Sequence, residues 1–72
     1  MIRYRVVERL SADLVGVQSD PYGRQLMGRG KVRRMVACRN CGKNIQPGAE
    51  AYRTVNGSTM NRAHRVCLGC LS

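Results

Sequence analysis

The 72-residue chain contains no tryptophan and no phenylalanine, and only three tyrosines. So short a chain buries little apolar surface, and the missing large aromatics leave it less. It needs a staple: disulfides, a metal or a partner. Acidic residues are also scarce, with four against thirteen lysines and arginines, for a net charge of +9. No apolar run approaches the ~20 residues that cross a bilayer. The opening MIRYRVVERL has neither the apolar stretch nor the small-residue cleavage site of a secretory leader. We therefore expect a reducing, intracellular (cytoplasmic) setting and no membrane partner.

What the chain does have is four cysteines in two pairs, Cys38-x2-Cys41 and Cys67-x2-Cys70. In a reducing compartment such pairs bind metal rather than form disulfides. His64 supplies a fifth soft ligand. The full pattern is C-x2-C, twenty-two residues, then H-x2-C-x2-C. Thiolate and imidazole ligands in tetrahedral number point to one structural zinc ion. In small fingers such an ion contributes ~10–16 kcal/mol of folding energy. The expected ligands are Cys38, Cys41, Cys67 and Cys70. A short helix beginning at Val66 would put Cys67 and Cys70 on one face, with Arg62, Arg65 and the helix N-terminus favouring their thiolates. His64 stands as the alternative to Cys70. A thioredoxin-like redox pair fits poorly, because that chemistry uses one pair in a βαβ setting. Catalytic zinc needs an open position and a general base, and Glu50 is the only acid of the second half. The expectation is therefore no enzymatic activity.

Along the chain, Ile2, Tyr4 and Val6 alternate with Arg3 and Arg5, a strand pattern. SDPYGR marks a turn. Residues 24–39 carry six basic residues and no acid, and Gly28 and Gly30 predict a flexible basic loop that leads into a strand, KVRRMVA. CRNCG reads as a zinc knuckle, with Gly42 permitting the tight backbone behind the sulfurs, and IQPGAE reads as a turn. Asn56-Gly57 between AEAYRTV and STMNRAH predicts a two-residue hairpin. That hairpin pairs Arg53 with Met60, Tyr52 with Asn61 and Ala49 with His64. The expected fold is a small zinc-stabilised domain, α+β or mostly β. It comprises a zinc knuckle, a β-hairpin and a short C-terminal helical turn. Residues 1–37 form an N-terminal strand and basic Gly/Arg loop, packed on or leading into a finger at residues 38–72.

The stretch from Cys38 to Cys67 resembles the treble-clef zinc fingers, such as LIM domains and the poly(ADP-ribose) polymerase type. The matching positions are Cys38, Cys41, Gly42, Lys43, Ile45, Pro47, Gly48, His64 and Cys67. The resemblance implies a knuckle, a hairpin and a short terminal helix, and it implies His64 as a ligand. The HNH nucleases share that scaffold but need a general-base histidine and usually another after the last cysteines. This chain has one histidine in all.

Zinc on four thiolates lowers the formal charge of +9 only to +7. So basic a domain implies an acidic partner, nucleic acid first. The expected contacts are phosphate contacts to DNA or RNA from Arg24, Arg29, Lys31, Arg33, Arg34, Arg53, Arg62 and Arg65. The alternative is a regulatory adaptor docking on an acidic protein surface of a larger transcription or replication complex. Exposed IRYRVV also suits strand addition to a partner or a strand-paired dimer.

Overall fold

The computed structural model describes residues 3–20, 23–55 and 64–71. Among these described residues, seven strands run in chain order: β1 (Arg3–Arg9), β2 (Leu14–Asp20), β3 (Gly23–Lys31), β4 (Val36–Ala37), β5 (Asn44–Ile45), β6 (Glu50–Thr54) and β7 (Arg65–Cys67). A single 3-10 turn follows at Leu68–Leu71. Five strands form one antiparallel sheet in the order β1-β2-β3-β6-β7, curled into a half-barrel, and β4 and β5 form a separate two-stranded ladder.

The sheet forms where alternation supplies an inner face. Tyr4, Val15, Val17, Met27, Tyr52 and Val66 are buried in one cluster with Val32, Cys38, Ile45, Ala51 and Leu71. Each fully buried side chain of this size contributes about 1.5–3 kcal/mol. Val7 to Leu10 could have continued as a helical face. Instead the β1–β2 register shifts between Val6 and Glu8, so that Val7 is the extra residue of a bulge and stays exposed.

Several expectations are corrected. Among the described residues there is no α-helix, so the α+β, treble-clef-like architecture with a C-terminal helical turn does not hold. Cys67 is held in the sheet by pairing with Ala51, and one 3-10 turn then suffices to bring Cys70 inward and bury Leu71. The basic segment 24–31 is not a loop but the long central strand β3. It pairs with β2 over residues 23–28 and with β6 over residues 27–31, so each residue of the strand is in a ladder despite two glycines. KVRRMVA is not a continuous strand: Arg33 and Arg34 bend, and only Val36–Ala37 pair, with β5.

The hairpin register is also different. Asn56-Gly57 lies outside the described residues, but Arg53 pairs with Arg65 and Tyr52 with Val66, five positions from the expected partners Met60 and Asn61. A turn signal is local. The observed register instead pairs two buried residues, Tyr52 and Val66, and carries Cys67 to the knuckle.

The knuckle joins the two edges of the curled sheet. At the β1 edge the Asn40 side chain accepts from the Tyr4 backbone N–H at 2.8 Å and donates to the Tyr4 carbonyl at 2.8 Å. At the β7 edge the Arg39 backbone N–H donates to the Arg65 carbonyl at 2.8 Å. Arg9 also reaches the Leu71 carbonyl, at 3.1 Å. Removing the Asn40 amide leaves the backbone N–H and carbonyl of Tyr4 without this partner. Asn40→Ala is therefore expected to destabilise the folded protein by about 1–3 kcal/mol in urea titration with its metal content unchanged; an unchanged midpoint would contradict this edge closure.

Candidate metal centre and cationic groove

Cys38 and Cys41 sit on the tight turn predicted for CRNCG. The Gly42 N–H donates to the Cys38 carbonyl at 2.9 Å, and the Cys38 N–H donates to the Lys43 carbonyl at 2.8 Å. Gly42 takes a φ of 79°, a conformation that side chains disfavour. Next comes the IQPG turn. The Ala49 N–H donates to the Gln46 carbonyl at 3.0 Å, with Pro47 leading and Gly48 at φ 87°, a type II turn. Chain direction is thereby reversed into β6, whose partner β7 ends in Cys67.

The four sulfurs of Cys38, Cys41, Cys67 and Cys70 lie within 4.8 Å of one another. Three of the separations are 3.7 Å (Cys38 to Cys70), 3.9 Å (Cys41 to Cys67) and 3.4 Å (Cys67 to Cys70). A tetrahedral ion with thiolate bonds of about 2.3 Å needs edges of about 3.8 Å. All four cysteines are free thiols, and a disulfide would need about 2.05 Å. The cluster is thus shaped to hold one metal ion.

Its electrostatics suit a cation. Burial pushes the Cys38 thiol up, but the backbone N–H groups of Cys41, Cys67 and Asn40 more than offset it, and its pKa falls to about 6. Those N–H groups lie 3.5, 3.3 and 3.4 Å from its sulfur. Burial pushes the Cys70 thiol well up, and so do its contacts with Cys67, Cys38 and Cys41. Four thiolates this close repel one another until a bound cation compensates them.

His64 is not in the cluster. Its Nδ1 is hydrogen-bonded to the buried Tyr4 hydroxyl, and the two rings meet edge to face at 6.0 Å. Burial, then the nearby Arg39 charge, lowers the His64 pKa and favours the neutral ring. The helix dipole invoked for Cys67 and Cys70 has no counterpart, since Cys67 lies on a strand; the N–H donors around Cys38 take that electrostatic role.

Beside the metal centre runs a groove of about 620 Å³. Arg29, Lys31, Arg33, Arg34, Arg53 and Arg65 all line it, and none of the described lining residues is acidic. Arg29 is also bonded to Glu50 at 3.0 Å. Burial, then the Arg53 and Arg34 charges, lowers the Arg65 pKa. Arg24 is placed elsewhere, in an exposed ion pair with Glu8. Arg62 lies outside the described residues. The sequence offered no sign of Asn40 as the edge closure or of Tyr4 as the partner of His64.

No protein-family model, no curated protein and no solved structure matches the chain. The treble-clef resemblance thus has no family match behind it, and the metal centre rests on the geometry of the four sulfurs.

Loss of one ligand separates the two candidate fourth ligands. Cys70→Ser is expected to weaken metal retention against a competing chelator by at least about tenfold, as loss of an inner ligand should. His64→Ala is expected to retain the metal as the parent does. Equal retention by Cys70→Ser, measured by metal analysis after dialysis, would contradict the four-sulfur site.

Proposed function

We propose that this protein is a zinc-stabilised β module that binds nucleic acid through phosphate contacts in the cationic groove. The observation that carries the reading is that six basic residues from β3, the Arg33–Arg34 bend, β6 and β7 line one concave surface. Most of the affinity of such a surface comes from counterion release, without base reading.

Zinc is the metal of this reading because four thiolates at tetrahedral spacing suit it. Its role is structural: four protein ligands leave no position for substrate or water. The described groove residues include cations and small apolar side chains but no carboxylate, imidazole or thiol, so we assign the groove binding and no reaction. Free thiols in a zinc site fit a reducing, intracellular compartment.

One observation favours a second reading, a protein adaptor docking on an acidic surface. Met35 and Val55, 54 % and 49 % exposed, lie next to or within the groove. In that case Met35→Ser would weaken the protein complex while leaving nucleic-acid affinity unchanged.

The salt dependence of binding tests the leading reading. Each phosphate contact contributes about 0.9 to the slope of log K against log salt on a duplex. Arg53→Gln and Arg34→Gln are each expected to reduce the slope by about that amount. Arg24→Gln, which changes a residue outside the groove, is expected to leave it unchanged. Fluorescence anisotropy between ~50 and ~200 mM salt reads the difference, and an unaltered slope in both groove variants would refute the assignment.

A further inference from the structure

The pairing pattern across the groove is unusual for a sheet surface. Arg53 stands directly opposite Arg65, and like charges at that position destabilise a sheet. On its other side Arg53 faces Gly28, and the next row is Gly30 opposite Ala51. Two arginines on adjacent strands therefore border a strip of nearly bare backbone, and Arg33 and Arg34 also line the groove. A Cβ at Gly28 would crowd the side chain of Val55, at 3.0 Å from Cγ1. At Gly30 a Cβ would meet nothing within 4 Å, and its φ is not left-handed. Packing does not require a glycine at position 30, but an open groove floor does.

Among the described residues, no aromatic lines this surface. Tyr4 and Tyr52 are buried in the core and do not line the groove. Tyr22 lies outside the described residues. Proteins that hold single strands combine a cationic track with aromatic platforms on which bases stack. Without stacking, charge density decides. A duplex carries one charge per about 1.7 Å of axis against about 3.4 Å for one strand, and it returns more counterions per contact.

We infer that the groove takes the sugar-phosphate backbone of double-stranded nucleic acid in preference to single strands and without regard to sequence, with Gly30 as the position that admits it. This rests on the reading of the groove as a nucleic-acid site. Each phosphate contact contributes about 0.9 to the slope on a duplex and about 0.7 on a single strand, so about five contacts favour the duplex by about tenfold in affinity at ~0.1 M salt.

The test uses the zinc-loaded full chain, two unrelated duplexes of about twenty base pairs, and their separated strands. Both duplexes should bind alike, about tenfold more tightly than any strand. Gly30→Leu should melt at the parent's temperature and lose duplex affinity by about tenfold or more. Gly30→Ser, a smaller intrusion, should lose less, and it serves where the leucine variant does not fold. Single strands bound as tightly as duplexes, strong preference for one duplex, or a folded Gly30→Leu with parental affinity would each overturn the inference while leaving nucleic-acid binding intact. No binding of any of these molecules at ~50 mM salt would overturn the underlying reading as well.

Discussion

Both free edges of the five-stranded sheet end on the same few residues, the knuckle between Cys38 and Cys41. Asn40 closes the edge at Tyr4, and Arg39 closes the edge at Arg65. The Cys67 N–H, also on the outer side of β7, points at the Cys38 sulfur. The half-barrel is thus held at its seam by a turn whose own anchors are thiols. Four thiolates in that space are stable together only around a shared cation. A chain with no tryptophan and no phenylalanine has few other means of fastening such a seam.

The groove follows from the same constraint. β7 is only three residues long, and it carries Arg65 toward the groove and Cys67 toward the metal. The bend at Arg33 and Arg34 lies between β3 and the β4–β5 ladder that leads in and out of the knuckle. Anything that loosens the seam therefore loosens both walls of the groove. The like-charged Arg53–Arg65 pairing costs stability, and β7 links it directly to the metal centre through Cys67.

Much of the metal centre was legible in the chain. The two C-x2-C pairs, Gly42 after the knuckle and Pro47-Gly48 before β6 each demand a particular local backbone, and the structure contains all three. Six of the eight basic residues singled out share the groove. What the chain did not reveal was non-local. β3 reads as a loop because glycine has low strand preference, yet pairing with β2 along one half and with β6 along the other overrides that preference. The Asn56-Gly57 signal implied a register without knowing that Tyr52 needs Val66 as a core partner. Arg24 looks like its neighbours in sequence, and only the β1–β2 and β2–β3 pairings together put it near Glu8. The helix expected after Val66 gave way to the demand that Cys67 stay in the sheet.

The central claim is that a single ion on four cysteine sulfurs fastens this seam. X-ray absorption at the metal edge of the zinc-loaded protein measures that shell directly. The account predicts four sulfur neighbours at about 2.3 Å and no nitrogen. A shell of three sulfurs and one nitrogen at about 2.0 Å would place an imidazole in the site and contradict it.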